Sequence, residues 1–187
     1  MCKFNVLGLL VMVKQFLVVI LILLSLSLSA CVATAVGLKS FVDTTDGYQF
    51  LYPNGWVSVK VNNGPDVVFH DLIEETENVS VMINQVSSDK TLAQLGTPTE
   101  VGYQLSKRIP NSDREAELVS AEERVVGNTS YYILEYLVKL PNQVRHDLAS
   151  VTVRHGKLYS LNASTPSGRW EKVAPQFHQV VNSFTVY

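Results

Sequence analysis

The chain has 187 residues, 15 lysines and arginines against 17 aspartates and glutamates, and a formal charge of −2. That length suits one domain plus a leader, and the slight acidity argues against a nucleic-acid binder or a generally basic membrane-surface protein. Its two cysteines, Cys2 and Cys31, both sit at the N-terminal end. The folded part therefore has no disulfide, no thiol nucleophile and no Cys-ligated metal, and its core must supply its stability.

Lys3 and Lys14 precede a charge-free run from Phe16 to Ala30, and Leu28-Ser29-Ala30 leads directly into Cys31. A basic start, an apolar stretch and small residues before the cut are the three parts of an export signal. A transmembrane anchor over residues 7–30 competes with this, but Lys14 shortens the uninterrupted run to about the lower limit for a bilayer span. Leu-Ser-Ala-Cys resembles the lipobox of bacterial lipoproteins, whose cysteine becomes residue one and carries diacylglycerol on its sulfur. Two or three acyl chains anchor stably where one is marginal. The expected organisation is a signal peptide over residues 1–30, a lipidated tether over 31–38 attached at Cys31, and a domain over 39–187. Met12 is an alternative start, since the segment after it is a complete signal.

Lys39 to Asp43 and Tyr48 to Tyr52 read as strands around Thr44-Thr45-Asp46-Gly47, with Tyr48, Phe50 and Tyr52 on one face. Asp66 to Asp71 and Val79 to Val86 read as two more, separated by an acidic turn with Glu74, Glu75 and Glu77. Thr97-Pro98-Thr99-Glu100 then opens a helix: threonine at the cap, proline at the first position, glutamate at the third. Val101, Leu105 and Ile109 share its apolar face, and Pro110-Asn111 ends it.

Ala116 to Val126, Thr129 to Lys139 and a hairpin turning at His155-Gly156 follow as antiparallel strands. Tyr132, Leu134, Tyr136 and Val138 form the more apolar set on the second of these and are the expected core face; Tyr131, Ile133, Glu135 and Leu137 form the other. Trp170, Val173, Phe177, Val180 and Val181 follow helical spacing over roughly Arg169 to Ser183, and Pro175 predicts a kink or break there. Phe184 to Tyr187 reads as a closing strand. With about seven or eight strands joined by hairpins and two helices, the expected class is α+β: an α/β/α sandwich with a central, mainly antiparallel sheet.

The chain lacks G-x-S-x-G, H-E-x-x-H, P-loop and G-x-G-x-x-G signatures, and its four histidines are isolated in sequence. The expectation is a protein that is not an enzyme. His70-Asp71 and His146-Asp147 are the candidate metal positions, read as strand ends. Neighbours on a strand point to opposite faces, so each pair needs ligands from elsewhere, and the acidic turn offers carboxylates near His70. Oxygen donors suit calcium or manganese, and imidazole adds zinc or manganese. The plainer alternative is that these are solvated strand ends beside an exposed acidic turn.

Gly47-Tyr48-Gln49-Phe50-Leu51-Tyr52-Pro53 followed by Trp56 resembles the start of the PsbP domain, the extrinsic lumenal protein family of photosystem II. The resemblance continues through Asn78-Val79-Ser80-Val81, Leu95-Gly96-Thr97-Pro98 and Tyr131-Tyr132. It ends in His155-Gly156-Lys157-Leu158-Tyr159 and Arg169-Trp170, so it spans about Leu38 to Tyr187. With the lipobox, the chain is similar to the cyanobacterial lipoprotein members of that family. The resemblance implies a non-enzymatic protein tethered by lipid on the lumenal side of the thylakoid membrane. Its partners would be lumenal subunits of photosystem II or assembly intermediates near the oxygen-evolving complex, and it would bind calcium or another divalent ion. In the family a histidine before this hairpin has been considered a metal ligand, and His146 matches its position. The acidic residue that plant members carry before Arg-Trp is replaced here by Ser167-Gly168. The competing function is a general periplasmic lipoprotein whose groove holds a small ligand or lipid.

Overall fold

A computed structural model describes residues 14–16, 37–87, 90–107 and 113–187. Most of the leader, with Cys31 and Met12, lies outside the described residues, as does Ile109. The chain divides into two units, Met1–Val36 and Gly37–Tyr187, and the second holds every element that follows. Among the described residues no helix is long and apolar enough to cross a membrane.

The unit begins with the hairpin of β1 (Leu38–Asp43) and β2 (Tyr48–Pro53). Asp43 closes its turn by accepting the N–H groups of Thr45 (2.8 Å) and Asp46 (2.9 Å). Gly47 completes it at φ +71°, a conformation glycine takes at no steric cost. The closing strand exists as β10 (Thr185–Val186) and pairs with the free edge of β2.

A second sheet has seven strands: β3 (Val57–Val59), β4 (Val67–His70), β5 (Asn78–Gln85), β6 (Glu115–Val126), β7 (Thr129–Leu140), β8 (Gln143–Arg154) and β9 (Lys157–Pro166). Their order is β3-β4-β5-β9-β8-β7-β6, and every pair is antiparallel. The architecture is the expected α+β class, but with two sheets and ten described strands rather than one sheet of seven or eight. The extra sheet is the β1–β2 hairpin, which pairs with no strand of the larger sheet and takes β10 on its free edge.

Between β5 and β6 lie a short helix α1 (Leu92–Leu95) and α2 (Pro98–Lys107). The predicted capping box of α2 is present. Glu100 Oε2 accepts the Thr97 N–H at 2.8 Å, and Thr97 Oγ1 accepts the Glu100 N–H at 3.3 Å. A single 3₁₀ turn (Ser167–Arg169) leads into α3 (Trp170–Ser183), which runs unbroken through Pro175. Proline removes one hydrogen bond near the start of that helix, and the apolar face holds the rest in place.

The seven-stranded sheet packs a core on each face, one of them covered only in part. On one, Val173, Phe177, Val180 and Val181 of α3 join Tyr48 and Phe50 of the small sheet over Val79, Val81, Leu148 and Leu161. On the other, Leu92 and Val101 cover Tyr132, Leu134, Tyr136, Val138 and Val151. The expected core face of β7 is therefore correct but incomplete. Tyr131, on its opposite face, is fully buried among the aromatics, and its hydroxyl accepts the Val186 N–H at 3.0 Å. Tyr132 and Tyr136 tie the α2 segment to the sheet by donating to the carbonyls of Gly96 (2.9 Å) and Gly102 (3.0 Å).

Candidate functional site

Strand β8 sends His146 and Asp147 to opposite faces, as strand alternation requires. His146 lies inside β8 rather than at a strand end, and it is only 8% exposed. Its Nε2 is 2.5 Å from Oε1 of Glu135 on β7. Glu135 sits diagonally across the strand pair, since His146 is directly opposite Leu137 and Glu135 opposite Leu148. Ser120 on β6 donates to the other Glu135 oxygen at 3.0 Å. The imidazole lies flat on the indole of Trp170, ring centroids 3.8 Å apart and planes at 8°. Trp170 in turn meets Phe177 edge-on at 6.4 Å, so it serves both the core and the wall of this site.

Arg169 reaches the other way. Its Nε donates to Glu77 Oε1 at 2.6 Å and its Nη1 lies 3.1 Å from Glu74 Oε1. Glu77 is 3% exposed and also accepts from Thr165 Oγ1 at 2.8 Å. The ion pair and hydrogen bond to Glu77 hold the Arg169 guanidinium more firmly protonated than usual. This corrects the view of residues 72–78 as a solvated acidic turn. Two of its three glutamates are spent on the start of α3, and they are not gathered around His70. His70 has its Nδ1 2.9 Å from the Asp71 carbonyl.

Asp147, on the far face, takes the Ser164 hydroxyl and lies 3.7 Å from Arg114. Beside it Arg145 donates to Ser164 Oγ (2.9 Å) and to the Thr76 carbonyl (2.6 Å). Burial lowers the Arg145 pKa, partly offset by Asp147. That face also carries a groove of about 710 Å³, floored by Asn78, Ser80, Ser160 and Asn162 and walled by Leu105 and Tyr136. Among the described residues α2 packs chiefly on β6 and β7.

The same turn displays a second feature. Asp71 Oδ1 accepts the N–H groups of Ile73 (2.7 Å) and Glu74 (3.2 Å), and its Oδ2 accepts the Trp56 indole N–H at 3.0 Å. The bond from Ile73 does most to hold the Asp71 carboxyl below the usual carboxylate range. Between these anchors Leu72 and Ile73 stand 61% and 90% exposed.

A divalent ion at His146 would find two donors, Nε2 and Glu135 Oε1. They are already hydrogen-bonded to each other, and no third His, Cys, Asp or Glu donor joins them among the described residues. Calcium, which takes six to eight oxygens, does not fit this pair; manganese or zinc suits it better. A three-carboxylate group does occur, with Asp43, Asp46 and Asp66 oxygens within 4.8 Å of one another. Each is engaged: Asp43 by its turn, Asp46 by Lys157 (2.9 Å), and Asp66 by the Tyr48 hydroxyl (2.5 Å). Sequence reasoning missed Glu135. Its signal was a carboxylate interrupting the Tyr131, Ile133, Leu137 alternation of a central strand.

The family model PsbP matches residues 36–186, which covers the whole of this geometry. The chain belongs to the PsbP family. It is 47% identical over 184 residues to CyanoP of Thermosynechococcus vestitus, covering 94% of this chain and 100% of that one. PsbP-like protein 1 of Arabidopsis thaliana, a chloroplastic relative, is 35% identical over 162 residues, covering 85% of this chain and 69% of that one. The solution structure of cyanobacterial PsbP (CyanoP) from Synechocystis superposes with a TM-score of 0.71 at 48% identity, over 84% of this chain and 98% of that one. The PsbP fold read from the sequence is thus the fold observed. The chain is a photosystem II-related PsbP protein, and none of these relatives is named for an enzymatic activity.

Proposed function

We propose that this PsbP-family chain is a photosystem II accessory or assembly lipoprotein. It is cleaved before Cys31, anchored by lipid on that cysteine, and displayed on the lumenal side of the thylakoid membrane. There it docks on lumenal subunits or on assembly intermediates without chemistry of its own. The observation that carries the reading is the near full-length likeness to CyanoP, together with the small-residue approach to Cys31. The lipid supplies residence at the membrane and the domain supplies recognition. Divalent binding belongs to this reading only as a weak site at His146 and Glu135, with manganese or zinc ahead of calcium.

The test is crosslinking in the native membrane followed by identification of partners. Lumenal photosystem II subunits or their precursors are the expected products, and a protein free of all of them sinks the proposal. Cys31→Ala is expected to release the domain from membranes stripped of photosystem II. Retention there would remove the lipid anchor from the reading. The groove of about 710 Å³ favours a second reading, a lipoprotein that binds a small ligand. Its polar floor and open side make it a weaker claim, because antiparallel sheets commonly leave one such face to solvent. A small molecule that survives native purification and leaves with a Ser160→Trp variant would favour it.

A further inference from the structure

We infer that the Leu72–Ile73 tip is a preformed anchor for an apolar socket with a basic rim on a lumenal protein of photosystem II. The inference rests on the photosystem II reading above and adds which part of this chain makes contact.

Single exposed aliphatic residues are ordinary on protein surfaces. Two adjacent ones at the tip of a fastened loop are a different case. Three sets of bonds hold this loop. Asp71 caps it from within through Ile73 and Glu74, and is itself held by Trp56. The backbone closes it, with Glu77 N–H to the Glu74 carbonyl at 2.7 Å and Asp71 N–H to the Glu77 carbonyl at 3.2 Å. From outside, Arg169 grips Glu74 and Glu77, while Arg145 takes the Thr76 carbonyl. The loop thus spends a buried glutamate and two arginines on holding a shape whose most prominent side chain is a 90% exposed isoleucine. A tip ordered before binding loses little conformational entropy when it docks, and that is how a small apolar contact becomes useful.

The charge around the tip selects the occupant. Glu75 is exposed beside Ile73 and the Asp71 carboxylate is bonded only to neutral N–H donors, so these two keep the tip acidic although Arg169 pairs with Glu74 and Glu77. An acidic collar fits a basic rim and is repelled by an anionic lipid surface, so the occupant is a protein socket rather than the bilayer.

The experiment uses photosystem II assembly complexes from cells lacking this protein, and measures binding of the full chain at two salt concentrations. Ile73→Asp is expected to weaken binding by about tenfold or more. Glu75→Lys is expected to weaken it at low salt, with the deficit shrinking at high salt. Val125→Asp, the same kind of change at an exposed position on β6, should bind like the unaltered chain. All three sites are exposed, and an unchanged unfolding midpoint verifies each fold. If the unaltered chain binds and Ile73→Asp binds equally well, this inference falls and the photosystem II reading stands. If the unaltered chain does not bind at all, both fall. Vesicles of anionic lipid are probed in the Cys31→Ala background, so that acylation does not bind for the protein. Binding there that depends on Ile73 would mean a lipid site, and would also overturn the inference.

Discussion

Asp71 accepts two backbone N–H groups and an indole N–H, and its charged form is the one those donors prefer. A carboxyl held below its ordinary value stabilises the fold above its unfolded pKa of about 3.9, and loses that contribution as pH falls through the lower folded value. Asp71→Asn is therefore expected to be less stable than the unaltered chain at neutral pH, with the gap closing below about pH 4. Denaturant midpoints at a series of pH values measure this, and a gap independent of pH would show that shape rather than charge is at work. His146 invites a second measurement. Calorimetric titration with zinc or manganese is expected to give weak binding that falls in both His146→Ala and Glu135→Gln. Equal titrations in all three proteins would leave His146 as a packing partner of Trp170 and nothing more. Sequence reading named His146 as a candidate from its His-Asp pair and from the family resemblance. It could not find Glu135, because a diagonal neighbour across two strands is defined only once the register of β7 on β8 is known.

At the scale of elements, the acidic turn and the start of α3 behave as one piece. Glu77 comes from the β4–β5 connection and Arg169 from the 3₁₀ turn, with Thr165 of β9 between them. Glu77 is buried, so removing it leaves Arg169 with Glu74 alone and takes the acceptor from the buried Thr165 hydroxyl. Glu77→Ala is expected to cost roughly 2 kcal/mol in denaturant unfolding, mainly through the buried Thr165 hydroxyl it leaves without a strong acceptor. Glu77→Gln should cost less, since it keeps an acceptor for Thr165. A loss within experimental error in both would mean that water replaces the carboxylate freely. Local signals were strong for elements whose rules are local. The Thr97–Glu100 box placed α2, and Asp46-Gly47 placed the first turn. At His155-Gly156 both residues take positive φ (51° and 70°), the two-residue turn that matches strand twist. The solvated reading of residues 72–78 failed for the opposite reason. The partner that buries Glu77 lies far along the chain, and no window of sequence contains both.

For the molecule as a whole, the alternation of apolar residues was enough to give the class and the mainly antiparallel sheet. It did not say that both faces of β7 would be buried, nor that the first and last strands would form a sheet of their own. Those depend on what packs above each face, which periodicity does not encode. The pairing order carries one more consequence, and it concerns time. β5 has no second neighbour until β9 exists, and β2 has none until β10, the last strand of the chain. Neither sheet can be completed before these later strands have formed, and closing the long loops between the partners is slow by its nature. A polypeptide built this way stays threadable until its late-pairing strands have been made.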